Sequence, residues 1–286
     1  MTGTMGIMGF DGDTERMIRA NEANWDARTP IHVASDFYSV ATRDPGDWFA
    51  DYEWSDLGDL EGKDVAHLQC HIGAETLAFA HRGARVVGLD LSGESVAAAR
   101  RLAEAAGLPV EYVKSDVYAA AEALGRNRFD IVYSGKGALC YLPDLTAWAE
   151  QVSALLRPGG QFYLVDFHPL LDALGPIPPA DGSQDLLLRH DYLGGRGHLR
   201  MDGSRTYTDG PALPDDLAYY EWRHGLGEIV TALVRAGLRI TLLRESEEIP
   251  WPRWAAMTST EGAWHRLPDS APRLPLMFAV QAVKEP

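Results

Sequence analysis

From residue 65 onward, short apolar runs alternate with segments whose apolar residues recur at helical spacing. Val65–Leu68, Arg85–Leu89, Val110–Lys114, Phe129–Ser134 and Phe162–Val165 read as strands. Helices are predicted between them over Thr76–His81, Glu94–Ala106, Tyr118–Leu124 and Leu145–Leu156. Their ends carry the expected chemistry. Ser92 is an N-cap, Gly83 and Gly107 are C-terminal stops, Pro143-Asp144 opens the last helix and Arg157-Pro158-Gly159-Gly160 closes it. Apolar strands separated by amphipathic helices bury both faces of a parallel sheet. The alternation resumes late in the chain with a helix over Glu228–Ala236 and strands over Leu238–Leu243 and Leu276–Val283.

Two segments fall outside that rhythm. Residues 1 to about 13 are expected to be frayed. Thr14 to about Asp56 is rich in aromatics and reads as a helical cap on the main domain. From about Leu170 to Trp222 the chain is rich in Gly, Pro and Asp, with strand-like pieces only at Leu186–Tyr192 and Arg205–Thr208. An insertion this long is usually a lid or a substrate wall. The predicted organisation is a cap over 1–58, a main domain built from 59–169 and 223–286, and an inserted lid over 170–222.

With 46% hydrophobic and 23% charged residues, the 286-residue chain has the composition of an ordinary globular protein. A formal net charge of -15 speaks against an electrostatic grip on nucleic acid or anionic membranes. Cys70 and Cys140 are the only cysteines, so a reducing cytoplasm is the expected setting. Met1–Asp13 has no basic stretch leading into an apolar run, and no apolar stretch approaches the ~20 residues of a membrane span. Neither a signal peptide nor a membrane anchor is expected, and either a monomer or a homo-oligomer fits.

The candidate chemistry lies where the first strand meets the first helix, at Leu68-Gln69-Cys70-His71-Ile72-Gly73. A strand, a tight turn, a helix start and a second strand ending in an acid, here Asp90, together grip a nucleoside. Backbone groups at the turn hold one end and the acid takes the ribose hydroxyls. A dinucleotide would need G-x-G-x-x-G for close approach of its pyrophosphate, but Gln69, His71 and Ala74 occupy those positions. S-adenosylmethionine, which has no phosphate, demands less bare backbone. Asp116-Val117 after the third strand offers a carboxylate and an apolar side chain to an adenine edge and face.

These motifs, with Phe129–Ser134 and Leu156-Arg157-Pro158-Gly159-Gly160 at their spacing, make the chain resemble the class I S-adenosylmethionine-dependent methyltransferases from about residue 60 to 285. The resemblance implies a Rossmann-like seven-stranded sheet with an antiparallel last strand. The first motif departs from the family's usual form: His67 stands at its acid, and Gln69 and His71 replace two glycines. This Leu-Gln-Cys-His variant is similar to that of a bacterial subgroup acting on small molecules. The cofactor residues expected are Gln69, Cys70, His71 and Gly73 through backbone atoms, Asp90 and Leu91, Asp116 and Val117, and Ser134 and Gly135. From the cap, Trp25, Arg28, His32 and Tyr38 are candidates to close over the cofactor, Arg28 by pairing with its carboxylate.

For the acceptor, His168 after the fifth strand and His224 before the late helix are the candidate general bases, with Tyr38 beside them. Lys136 is placed either to reach substrate or to be solvated. His67 reads as a buried structural histidine. His67 and His71 lack a third ligand, so no metal site is expected. The expected reaction is transfer of a methyl group to an oxygen, nitrogen or carbon atom of a small, aromatic or heterocyclic acceptor. The competing readings are a binding-only S-adenosylmethionine protein and an NAD(P)-dependent oxidoreductase.

Overall fold

A computed structural model describes residues 9–174, 187–213, 217–260 and 264–286. Most of the expected frayed start and Leu186 of the first strand-like piece lie outside the described residues.

The expected alternation is present. Strands β1 (Asp64–Leu68), β2 (Arg85–Asp90), β3 (Glu111–Lys114), β4 (Phe129–Gly135) and β5 (Leu156–Phe167) alternate with helices α3 (Ala74–His81), α4 (Gly93–Ala106), α5 (Ala120–Leu124) and α6 (Leu145–Leu155). Preceding them are α1 (Gly12–Ala34) and α2 (Asp51–Leu57). After β5 come α7 (Pro169–Ala173), β6 (His198–Met201), β7 (Tyr219–Trp222), α8 (Leu226–Arg235) and β8 (Leu238–Ser246). The two-residue strands β9 (Glu248–Ile249), β10 (Thr258–Ser259) and β11 (His265–Arg266) form a small sheet, and β12 (Met277–Lys284) ends the chain.

The main sheet has seven strands in the order β3-β2-β1-β4-β5-β12-β8. β1 pairs in parallel with both β2 and β4, whereas β12 runs antiparallel to β5 and β8. This is the Rossmann-like sheet with its antiparallel last strand. One face packs on α5, α6 and α8 around Trp148 and Phe162, both fully buried. The other packs on α2 and α3 around Phe49, Phe79 and Tyr133. The chain order reverses at β1, so the loops after β1 and β4 diverge and leave a crevice at the carboxyl edge.

The insertion differs from expectation. Residues 187–192 and 205–208 form no strand, and the described strands are β6 and β7, paired antiparallel. Their pairing joins residues on either side of a Gly- and Asp-containing stretch, a register that short apolar runs do not announce. Among the described residues no helix is long and apolar enough to cross a membrane.

Candidate functional site

The turn after β1 takes the conformation its missing glycines would have supplied. Gln69, His71 and Gly73 have φ of 56°, 50° and 76°, all in the left-handed region. Gly73 is the position that tolerates no side chain, because an added Cβ would collide with the Tyr112 hydroxyl. Cys70 N–H donates to Leu89 O at 3.0 Å and Gly73 N–H to Cys70 O at 2.9 Å, so the turn is closed by its own backbone. The Gln69 amide donates to Ala138 O at 2.9 Å, tying the turn to the loop after β4. Cys70 is buried beside Tyr112 and Gly88, and burial pushes its thiol well up, so it acts as a small apolar filler.

Asp90 ends β2 with one oxygen facing this turn and the other facing its own loop. One accepts from His71 N–H at 2.7 Å, the other from Ser92 N–H at 2.9 Å. Burial raises its pKa to about 6 against those two bonds. Asp116 caps a single helical turn by accepting from Tyr118 N–H at 2.9 Å. Its other oxygen is buried without a partner, as are Ser134 Oγ, Gln69 Oε1 and Arg28 Nε. Leu91 is half-buried beside Asp90, Val117 is buried in the core and Gly135 ends β4.

The cap crosses this edge as α1, whose buried face is polar: Asn21, Asn24, Arg28, Thr29 and His32. Asp26 accepts from Ser92 Oγ at 2.6 Å and Glu94 N–H at 3.1 Å, and Thr29 meets Ser95 Oγ at 2.7 Å. Asn21 bonds both the N–H and the C=O of Tyr220, at 2.7 and 2.9 Å, and Asn24 donates to Leu217 O at 2.6 Å. Arg28 lies between these anchors, 2% exposed, its guanidinium 4.2 Å from the Tyr219 ring and 5.2 Å from Trp25. No carboxylate among the described residues is within pairing distance of it.

Beyond Arg28, His32 bridges three segments: its Nδ1 is 3.0 Å from His71 Nε2 and its Nε2 is 2.5 Å from Thr206 Oγ1. Burial and the Arg28 charge take His32 down to about 3. His71 is held well below its ordinary value by burial, then by His32 and Arg28. Both rings are therefore neutral at physiological pH. Trp25 and Tyr38 pack on His71 with centroids 5.1 and 5.4 Å away, and Tyr38 hydrogen-bonds Tyr207.

His67 is buried, 2.9 Å from Thr76 Oγ1, and burial lowers its pKa to about 4. Among the described residues no group of three metal-ligating side chains forms. His168 is the N-cap of α7: its Nδ1 accepts from Leu170 N–H at 3.1 Å and its Nε2 lies 3.0 Å from Glu245. His224 has Nε2 2.7 Å from Leu142 O and Nδ1 3.7 Å from Glu228. His168 Nδ1 and His224 Nε2 each bond backbone and so anchor a loop, while His168 Nε2 and His224 Nδ1 lie beside Glu245 and Glu228 without a hydrogen bond. Lys136 is neither solvated nor free: it is buried, 2.9 Å from Glu75 and 3.3 Å from Glu53, with the Phe49 ring 4.8 Å away. Sequence reasoning missed Glu53, Glu75, Tyr141, Tyr207 and Tyr219. The one available signal was a lysine between two glycines after a strand, and its acids stand 61 and 83 positions away.

A carboxylate at the end of β2, a second after β3, a closed turn after β1 and unpaired buried polar atoms thus gather at the carboxyl edge of the sheet. Residues 65–160 match the family model of a methyltransferase domain. The ubiquinone biosynthesis O-methyltransferase of Methylobacterium sp. (strain 4-46) is 30% identical over 142 residues, 49% of this chain and 56% of that protein. A fatty-acid O-methyltransferase of Mycolicibacterium smegmatis is 34% identical over 116 residues, 40% of each chain. The chain spans about half the length of the curated relatives it matches. The fold is shared more widely. A putative S-adenosylmethionine-dependent methyltransferase from Listeria monocytogenes superposes with a TM-score of 0.60 at 20% identity, covering 84% of this chain and 97% of the other. One from Mesorhizobium loti does so with a TM-score of 0.51 at 25% identity, covering 81% and 97%. The matched stretch ends at Gly160, within the first part of β5, and α1 with its polar anchors lies outside it.

Proposed function

We propose that the protein is an S-adenosylmethionine-dependent methyltransferase acting on a small-molecule acceptor, with a cap over 1–58, a cofactor domain from 59–169 and 223–286, and a lid over 170–222. The observation that carries this reading is the set of buried, partnerless polar atoms at the carboxyl edge: Gln69 Oε1, Asp116 Oδ2, Ser134 Oγ and Arg28 Nε. Buried polar groups are ordinarily hydrogen-bonded, and three orphans at the carboxyl ends of β1, β3 and β4, with a fourth on α1, fit a ligand with donors and acceptors along its length. Asp90 takes the ribose hydroxyls, Asp116 the adenine amino group with Val117 under the ring, and Ser134 and Gly135 the amino-acid end. Gln69, Cys70, His71 and Gly73 border that end through the turn's backbone, with Leu91 beside the ribose. Arg28, a buried cation with no acid partner, takes the carboxylate, and Trp25 covers it.

S-adenosylmethionine supplies an already activated methyl group on a sulfonium. The chain's own work is then to align an acceptor with it and exclude water. Trp25, Tyr38, Tyr141, Tyr207 and Tyr219 offer a wall of rings suited to an aromatic or heterocyclic acceptor. Tyr38 lines that wall as a positioning residue. Burial pushes its hydroxyl well up and that of Tyr207 up to about 12, so neither is an ionised base near neutrality. His168 and His224 are assigned to loop anchoring, leaving an acceptor that reacts without a dedicated histidine base.

A thermal-shift series tests the reading. S-adenosylhomocysteine should raise the melting temperature by several degrees at 100 times its Kd, while NADH should not. A product 14 mass units heavier from a panel of small aromatic acceptors completes the test. A chain unmoved by either S-adenosyl compound would not be this enzyme, and one that binds them but methylates nothing would be a binding-only protein.

A further inference from the structure

The loop after β4 is fastened to the strands on either side of it by two side chains. Asp166, 4% exposed near the end of β5, accepts from Gly137 N–H, from Leu139 N–H at 3.1 Å and from its neighbour Phe167 N–H at 2.7 Å. Gln69, in the turn after β1, donates to the carbonyl of the residue between the first two, Ala138, at 2.9 Å. Three consecutive loop residues are thus held alternately from β5 and from β1, and β4 lies between those strands in the sheet. Gly137 takes φ of 86° there, a left-handed conformation that glycine adopts without a steric cost.

A carboxylate is a costly group to bury here. Among the described residues no ion pair joins Asp166 to a cation, so backbone N–H groups are its compensation, and burial still pushes its pKa up to about 7 against them. The pairing of β5 with β12 runs through the Asp166 backbone and asks nothing of its side chain. What the side chain holds is the loop, and the loop carries both ends of the site. It leaves β4 at Ser134 and Gly135, in register with Leu68 and Val165 of the flanking strands. It continues into Tyr141, whose ring lies 5.4 Å from Trp25 and 6.2 Å from Tyr219. His224 fixes the far side through Leu142 O at 2.7 Å.

Resting on the methyltransferase reading above, we infer that Asp166 is a positioning residue for the cofactor: with the Gln69 amide pulling from β1, it braces residues 137–139 across the crevice and so sets Ser134 and Gly135 against the amino-acid end of the ligand. Asp166 acts through the loop and not by contact with the ligand. The nucleoside end is held by Asp90 and Asp116 from other strands, so the brace governs one end of the ligand and leaves the other alone. Gln69 and Asp166 pull on opposite sides of a single peptide segment, so releasing either one releases the same brace.

Calorimetric titration at pH 8, where Asp166 is ionised, tests this with two probes and no acceptor. S-adenosylhomocysteine has the amino-acid chain, whereas 5′-methylthioadenosine keeps the nucleoside and sulfur and lacks that chain. Asp166→Asn preserves the shape but turns a donor toward a loop N–H. It should weaken S-adenosylhomocysteine roughly tenfold and change 5′-methylthioadenosine less than about threefold. Gln69→Ala, a change at a half-buried position outside the sheet core, should show the same selectivity with a loss of roughly fivefold, and it carries the test alone if Asp166→Asn does not fold. The double variant should lose no more than about twofold beyond the weaker single variant, because the two share one brace. Equal losses for both probes, no loss for either, or single losses that multiply in the double variant would each overturn the inference. A wild type that binds neither probe would instead refute the methyltransferase reading itself.

Discussion

At the scale of single residues, the turn after β1 separates what a backbone does from what a side chain does. A non-glycine residue in the left-handed region costs roughly 1 kcal/mol, and the turn holds two, Gln69 and His71. His71 still donates its N–H to Asp90, as a glycine there would. His71→Gly should therefore relieve local strain, and S-adenosylhomocysteine affinity should stay within about threefold in a calorimetric titration. Asp90→Ala should lose more than tenfold, about 1.4 kcal/mol or more. A large loss in His71→Gly would make the imidazole a ligand group. Asp90 also sets a pH dependence. Its pKa of about 6 means that the ionised acceptor of the ribose hydroxyls disappears on acidification, so affinity should fall between pH 7 and 5. Asp90, Asp116 and Gly73 were legible in the sequence because each marks the end of a strand or the start of a helix. The partners of Lys136 were not, because ion pairs between segments 61 and 83 residues apart leave no periodic trace.

At the scale of elements, α1 is unusual because polar anchors, rather than an apolar stripe, dominate its buried face. The cap was legible as helical from its aromatics, but the residues that fasten it are Asn21, Asn24, Asp26 and Thr29, which read in the sequence as ordinary surface residues. Their role appears only once β7 and the start of α4 lie alongside. Asn21 matters most, since it pairs with both backbone groups of Tyr220 much as a neighbouring strand would. Asn21→Asp keeps the shape but sets a carboxylate against Tyr220 O, losing one bond and adding a repulsion of about 1–3 kcal/mol in total. The expected outcome is faster proteolytic nicking within 198–222, slowed again by saturating S-adenosylhomocysteine, with β1 to β5 still protected. Unchanged nicking would show that the cap and the insertion are fastened by other contacts.

At the scale of the whole molecule, two sets of buried groups pull stability in opposite directions as pH changes. Asp90 and Asp166 have folded pKa values raised by burial to about 6 and about 7, so the folded protein keeps protons there that the unfolded chain has released. On their own they would make stability fall as pH rises from about 4 through 7. His32, His67 and His71 act oppositely. Burial lowers all three, two of them to about 3 and about 4, so below the ordinary histidine value of 6.5 the unfolded chain binds protons that the folded protein refuses. His168 and His224 are lowered in the same sense. Glu53, Asp116, Asp172 and Glu221 are raised by burial in the same sense as Asp90 and Asp166. With the five imidazoles prevailing between pH 5 and 6.5, stability should rise with pH there. Above 6.5 the histidine contribution is complete, while Asp166 and the net charge of -15 work against the folded state. The apo melting temperature should therefore climb by several degrees from pH 5 to 6.5 and level off or decline toward pH 8. His67→Asn, which removes one buried imidazole far from the ribose acid, should flatten the acid limb of that curve. A wild-type melting temperature that falls steadily from pH 5 to 8 would mean that the carboxyls, not the histidines, dominate the proton balance of the core.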